Sequence, residues 1–210
     1  FCAVDLSAFY FDVRKDALYC DAPDDARRRA CRTVLDTLFD HLVAWMAPFL
    51  CFTAEEAWRT RNPDHDSVHL VTFPEVPADW RADALADKWT RVRQIRRVVT
   101  GALEIARADK TIGASLQAHP VLHVPAEDKA LLESLDMAEV AITSGLEITT
   151  DSAPADAYAL AEVPGVAVQV RLAEGGKCQR CWQVLPTVGR DHGDLCPRCA
   201  DVVARGGTTA

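Results

Sequence analysis

The sequence predicts a mainly α-helical protein that continues into a small α+β unit and ends in a four-cysteine module. Apolar residues recur with helical spacing over most of residues 1–110 of the 210-residue chain. After residue 110 the spacing changes to the alternation that is typical of short strands. Two Cys-x-x-Cys pairs then lie within the last 33 residues. These three observations carry the predicted fold class.

Residues 1–110 have the apolar periodicity of helices that pack on a shared core. A short third helix is expected because Thr53 and Glu56 have the spacing of a capping box. Residues 62–84 are rich in Pro, Asp and His and predict a long connection. The predicted helices are residues 5–19, Ala26 to Met46, a short segment through Trp58, and about 85–108.

A change of period divides the rest of the chain. Residues 111–173 predict an α+β junction, and Gly175 and Gly176 predict a hinge before a metal-binding module at residues 174–205. Residues 206–210 are expected to be a frayed tail. The predicted junction elements are strands at 115–124, 140–149 and 163–172 and a short helix at 126–135.

Composition excludes several classes of protein. The chain is 49% hydrophobic and 26% charged, as in ordinary globular domains, and no apolar run is long enough to span a membrane. Its net charge of −8 argues against a protein that coats nucleic acid indiscriminately. Eight cysteines without a secretory signal predict a reducing compartment, hence the cytoplasm. The cysteines outside the two pairs are predicted to be buried, inert thiols: Cys2, Cys20, Cys31 and Cys51.

The two cysteine pairs predict one structural zinc ion. Cys178, Cys181, Cys196 and Cys199 have the spacing Cys-x2-Cys-x14-Cys-x2-Cys, which delivers four thiolates to a tetrahedral metal. Iron in a rubredoxin-like site is the alternative, because thiolates accept both metals. A catalytic zinc is not expected, since four cysteine ligands leave no open position for water. So short a module depends on metal binding for its folding.

Three basic residues and one tryptophan are next to the predicted metal ligands in the sequence. Lys177, Arg180 and Arg198 either neutralise the formal charge of −2 on a zinc tetrathiolate or also face an anion such as phosphate. Trp182 follows the second ligand directly. It either covers the metal site as a core residue or offers a flat face on which a nucleic-acid base stacks.

A basic stretch stands out in the acidic chain. Between Lys88 and Lys110 there are seven basic and two acidic residues, a local charge of +5. Arg93, Arg96 and Arg97 share one face of the predicted helix because they lie three and four residues apart. These arginines and Lys110 are candidate contacts for nucleic-acid phosphates. The alternative is an ordinary solvated face.

Taken together, these residues resemble the C-terminal region of the isoleucyl-tRNA synthetase family. The resemblance extends from Phe1 to about Val203, and the cysteine module in this order is its most specific part. One departure is Val202-Val203, where many relatives have Asn-Val. The segments that carry the resemblance are Asp5 to Asp12, Arg14 to Asp16, Leu18-Tyr19, Met46 to Phe49, Thr53 to Trp58, Lys110 to Leu116, Lys177 to Trp182 and Leu195 to Cys199.

The resemblance implies a helical-bundle anticodon-binding domain, an α+β junction and a zinc module that together grip the anticodon arm of an isoleucine tRNA. The start at Phe1, rather than at a methionine, predicts a piece of a longer protein. In the family, upstream domains of the same chain activate isoleucine with ATP and edit the product. The family's ATP-binding motifs are absent here, so no catalytic residue is assigned. Two alternatives remain: the zinc-finger region of a formamidopyrimidine-type DNA glycosylase, or a zinc-stapled protein-interaction module.

Overall fold

The computed structural model describes residues 1–206, so residues 207–210 of the predicted tail lie outside it. Contacts within the chain form two compact units. One contains Phe1–Asp21 and the described residues from Asp83 onward, and the other contains Ala22–Ala82. The domain boundaries predicted after residues 110 and 173 stay a prediction.

The unit of residues 22–82 is built on two helices, α2 (Ala26–Met46) and α3 (Cys51–Arg61). Asp25 begins α2, because its carboxylate accepts a hydrogen bond of 2.8 Å from the backbone N–H of Arg27. Short 3-10 turns at Val68–Leu70 and Ala78–Trp80 interrupt the predicted long connection. Val43, Ala47, Ala54 and Val68 form a cluster of buried residues in this unit.

The predicted capping box of α3 is wrong. The helix begins two residues earlier than Thr53, and its N-cap residue, Leu50, makes no side-chain cap. The Leu50 carbonyl already accepts a hydrogen bond of 2.8 Å from the backbone N–H of Ala54. Thr53 therefore lies within the first turn and Glu56 in the second, both as exposed residues, and neither takes the N-cap position.

The other unit begins with a helical segment and contains the longest helix. A π-helical stretch, Cys2–Phe11, runs directly into α1 (Asp12–Cys20). The long helix α4 (Asp83–Ala108) buries one face, which includes Val92, Ile95 and Leu103. That face packs on the sheet residues Leu122 and Val168 in one core. No helix within residues 1–206 combines the length and the apolarity needed to cross a membrane.

A four-stranded sheet carries the junction, in the order β2-β1-β4-β3. The central strand β1 pairs with β2 in parallel and with β4 antiparallel. The predicted strand at 140–149 is only partly right, because its first residues end a helix. Asp136 caps that helix, and Ile142 ends it with a φ of 60°. The elements are β1 (Val121–His123), α5 (Ala126–Leu132), α6 (Met137–Ala141), β2 (Glu147–Thr149), β3 (Tyr158–Ala159) and β4 (Ala167–Gln169).

The cysteine module consists of a small hairpin and one helix. Strands β5 (Gly176–Lys177) and β6 (Val184–Leu185) pair antiparallel, and α7 (Pro197–Ala204) follows. Gly175 has a φ of 114°, and a Cβ there would lie 2.2 Å from the Leu185 carbonyl oxygen. The entry to the hairpin therefore requires glycine at this position. Pro197 occupies the first turn of α7, where its missing N–H costs nothing.

Candidate functional site

The four predicted metal ligands meet in one buried cluster. The Sγ atoms of Cys178, Cys181, Cys196 and Cys199 all lie within 4.8 Å of one another. The first two cysteines come from the turn between β5 and β6, and the others from the start of α7. Each Cys-x-x-Cys pair therefore delivers two sulfurs from one tight turn. All four residues are buried, so the cluster is closed to bulk water.

The sulfurs have the spacing and the environment of a tetrahedral metal site. A Zn²⁺ ion with Zn–S bonds of about 2.3 Å holds its sulfurs about 3.8 Å apart. The Sγ atoms of Cys181 and Cys196 are 3.8 Å apart. The backbone N–H of Cys196 also points at Cys178 Sγ, at 3.3 Å, as outer hydrogen bonds to ligand sulfurs do. The donor set, its burial and its spacing thus all fit a structural zinc ion.

Burial opposes the charged form of three of these thiols, those of Cys178, Cys181 and Cys199. It raises the pKa of the thiols of Cys181 and Cys199. At Cys178 burial also raises the pKa, but backbone hydrogen bonds from Cys181, Cys196 and Arg180 outweigh it and leave a pKa of about 6. A cation at the centre of the cluster is what allows all four groups to act as thiolates.

The prediction that the four remaining cysteines are buried is half right. Cys20 and Cys31 are buried, whereas Cys2 and Cys51 are exposed. Apolar neighbours in the sequence misled the prediction, because those neighbours do not themselves pack over the two exposed thiols. Cys20 belongs to the same buried cluster as the four metal ligands.

Arg180 and Arg198 point into the protein. The Arg180 side chain donates hydrogen bonds to the backbone oxygens of Cys20 and Tyr19, and the residue is only 7% exposed. Arg198 forms ion pairs with the carboxylates of Asp16 and Asp21. Both arginines therefore connect the cysteine module to the end of α1. Their predicted contacts with tRNA stay predictions, and neither guanidinium is turned outward here.

Trp182 and Lys177 point outward. Trp182 is 59% exposed and adopts a φ of 66°, a left-handed conformation that few tryptophans have. The ammonium nitrogen of Lys177 lies 5.6 Å from the centre of the Trp182 indole ring. Of the two interpretations of Trp182, the core residue over the metal is wrong, because such a residue would be buried. The structure presents a flat aromatic face beside a cation.

The three arginines of α4 differ in what they contact. Arg93 pairs with Asp5 at 2.5 Å and lies over the Phe9 ring. Arg96 donates a hydrogen bond of 2.7 Å to the Val140 carbonyl oxygen, and burial lowers its pKa. Arg97 is exposed. Of the three, it is the one whose guanidinium makes no ion pair or hydrogen bond within residues 1–206.

Other charges of the basic stretch are also paired. Arg91 binds the buried carboxylate of Asp128, and Arg107 pairs with Glu104. Lys110 is exposed just after α4 and has a φ of 60°. The carboxylates of Asp128 and Asp5, from outside the stretch, thus offset two of its five excess positive charges. Arg97 and Lys110 are exposed cations for which the described residues provide no ion pair.

Sequence reasoning missed the residues that hold the cysteine module in place. These include Asp16 and Asp21, which bind Arg198, and Ser144, whose hydroxyl accepts a hydrogen bond of 2.7 Å from the backbone N–H of Val184. The one available signal was the pair of carboxylates at the end of a predicted helix, where negative charge is unfavourable. No sequence spacing connects residue 16 with residue 198.

Comparison with known families identifies two regions. Residues 1–122 match the model described as "Anticodon-binding domain of tRNA ligase". Residues 175–202 match the model described as "Zinc finger found in FPG and IleRS". Together with the geometry of the four sulfurs, the second match shows that the cluster is a structural zinc site. That match alone fits both the synthetase and the glycosylase interpretations, but the match over residues 1–122 does not favour the glycosylase.

Similar proteins include three that carry the name isoleucine–tRNA ligase. The chain is 52% identical over 206 residues to the one from Agrobacterium fabrum and 57% identical over 202 residues to the one from Ruegeria pomeroyi. It is 56% identical over 209 residues to the one from Mesorhizobium japonicum. These alignments include 95–98% of the chain but only 20–21% of each relative. The chain thus spans about a fifth of the length of these relatives.

Proposed function

We propose that this chain, which belongs to the family of anticodon-binding domains of tRNA ligases, binds the anticodon arm of an isoleucine tRNA as the C-terminal part of an isoleucine–tRNA ligase. Its relatives carry that name, and residues 1–122 match the anticodon-binding family. The parent enzyme would be cytoplasmic. It would use ATP to join isoleucine to tRNA, in domains that precede these 210 residues in the full-length protein. No residue of this chain is assigned to that chemistry.

The observation that carries the proposal is the exposed indole of Trp182 on a metal-fixed turn. The residue lies between the ligand Cys181 and strand β6, so the zinc site holds its backbone. An unpaired anticodon loop exposes base faces, on which an aromatic ring stacks. Lys177 at 5.6 Å adds positive charge beside the ring, where a phosphate of the loop would lie.

Zinc gives this surface an advantage that a disordered tail would lack. Ordering a flexible segment at each encounter costs conformational entropy. The four thiolate ligands remove that cost before tRNA arrives, because metal binding has already folded the hairpin. The module therefore acts as a rigid support for Trp182 rather than as a catalytic centre.

A binding experiment tests the proposal directly. The zinc-loaded chain is titrated with isoleucine tRNA, with the same tRNA carrying a changed anticodon, and with a DNA duplex of equal charge. We expect the changed anticodon to weaken binding about tenfold, because a different base loses the hydrogen bonds made to the edge of the correct base, whereas stacking tolerates any base. Equal affinity for both tRNAs would contradict anticodon recognition. Tighter binding to the duplex would support the glycosylase alternative instead.

Arg97 and Lys110 are the outward cations of the basic stretch and the best candidates for phosphate contacts. Removing one phosphate contact should flatten the slope of log affinity against log salt concentration by about 0.7–0.9. We expect this change for Arg97→Gln and no change for Arg107→Gln, because Arg107 is paired with Glu104. A slope unchanged in both variants would place Arg97 on a solvated face. The predicted contacts of Arg93 and Arg96 are tested by the same measurement on Arg93→Gln and Arg96→Gln.

A further inference from the structure

The carboxyl end of helix α1 has negative charge that no basic residue in its own last turn offsets. The carboxyl end of any helix has unpaired carbonyl groups and a partial negative charge. Helix α1 has no basic residue in its last turn. Two carboxylates, those of Asp16 and Asp21, lie there instead. Both features require cations from another part of the chain.

The cysteine module supplies the first cation. Arg180 donates hydrogen bonds of 2.6 Å to the Cys20 carbonyl oxygen and 3.1 Å to the Tyr19 carbonyl oxygen. The same Nη1 atom lies 3.6 Å from Sγ of the metal ligand Cys199. One buried guanidinium therefore lies between the negative end of α1 and a thiolate of the zinc site. In a water-poor environment such charge-assisted hydrogen bonds are among the strong ones.

The second cation comes from the first turn of α7. Arg198 lies between the ligands Cys196 and Cys199 in sequence, at the positive end of that helix. A cation there is unfavourable alone, but its Nη2 atom donates to Asp16 Oδ1 at 2.7 Å. Its Nη1 atom contacts Asp21 Oδ1 at 3.1 Å and also the second oxygen of Asp16. Asp16 of α1 and Asp21, which directly follows that helix, thus compensate Arg198.

We infer that the end of α1 is an outer part of the zinc site, and that Arg180 and Arg198 are positioning residues through which the two depend on each other. The metal orders the two turns that carry these arginines, and the arginines complete the end of α1. In return, α1 holds the ligand turns around the metal. Because such coupling is reciprocal, loosening either side loosens the other. The inference concerns metal retention and does not rest on tRNA binding.

The first test measures zinc release from the intact chain to a coloured chelator. We expect Asp16→Asn to release zinc about tenfold faster than the parent, because it weakens a charge-assisted contact of Arg198. Asp12→Asn is the matched control, since Asp12 is on the same helix but pairs with the exposed Lys15. Equal release rates for Asp16→Asn and Asp12→Asn would overturn the inference.

A double-variant cycle shows whether Asp16 acts through Arg198. If it does, Asp16→Asn combined with Arg198→Gln releases zinc about as fast as the faster single variant. Fully additive effects would mean that Asp16 acts on the site independently, and the inference would be wrong. Should Arg198→Gln fail to fold, Arg198→Lys provides a cation at the same position for the cycle.

The reciprocal test follows α1 itself. Hydrogen exchange of the zinc-loaded chain is compared with exchange after chelation, peptide by peptide. We expect the backbone amides near the end of α1, up to Asp21, to lose protection together with those of α7. Helix α2 has a separate buried core and serves as the internal reference. Loss of protection in α7 with none at the end of α1 would contradict the coupling.

Discussion

Cys196→Ser should reduce bound zinc from one ion per chain to nearly none and unfold the cysteine module. The hairpin and α7 bury little apolar surface apart from the cysteines, Val202 and the partly buried side chains Leu185, Val188 and Leu195. Their folding free energy therefore comes mainly from the metal, which contributes about 10–16 kcal/mol in small zinc modules. Elemental analysis and hydrogen exchange of residues 176–204 measure the two effects.

A control variant and an internal reference separate the loss of a zinc ligand from general damage to the protein. Cys51→Ser removes an exposed cysteine that is not a ligand and should leave the zinc content at one. The unit of residues 22–82 should keep its protection in both variants, because its core contains none of the ligands. A folded parent protein with iron, or with eight free thiols and no metal, would contradict the zinc assignment.

Trp182→Ala should lower tRNA charging about tenfold to a hundredfold in the full-length ligase that we propose for this chain. The stacking of one base on the indole is worth about 1–3 kcal/mol. Isoleucine-dependent pyrophosphate exchange should not change, because that reaction needs no tRNA and takes place in upstream domains. Comparison of the two assays separates recognition of the anticodon from the chemistry.

The zinc content of the Trp182→Ala variant decides how its result is interpreted. Since the side chain is 59% exposed and does not cover the metal, zinc should stay at one ion per chain. Trp182→Phe, which keeps an aromatic face, should retain most of the charging activity. Normal charging by a zinc-loaded Trp182→Ala protein would show that the indole does not stack on a base of the tRNA.

The sequence alone predicted several features of this protein, because the spacing of residues along the chain determines which of them share a turn or a helix face. The cysteine spacing predicted four ligands in two tight turns, and the structure brings all four sulfurs together. The apolar period predicted α2 from Ala26 to Met46 with the observed bounds. Helix starts depend on side-chain caps that a sequence suggests but does not guarantee, which is why the start of α3 at Cys51 was predicted incorrectly.

Only the tertiary structure decided which side chains of the cysteine module face inward. Arg180 and Trp182 are two residues apart in one turn, yet one is buried against α1 and the other is exposed. The partners of Arg180 and Arg198 at the end of α1 lie more than 150 positions earlier in the chain, and no local pattern identifies them. Likewise, the helical period places Arg93 and Arg97 on the same face of α4. It does not show that Arg93 pairs with Asp5. Charge pairing over such separations depends on packing, so it is a property of the folded chain rather than of any segment.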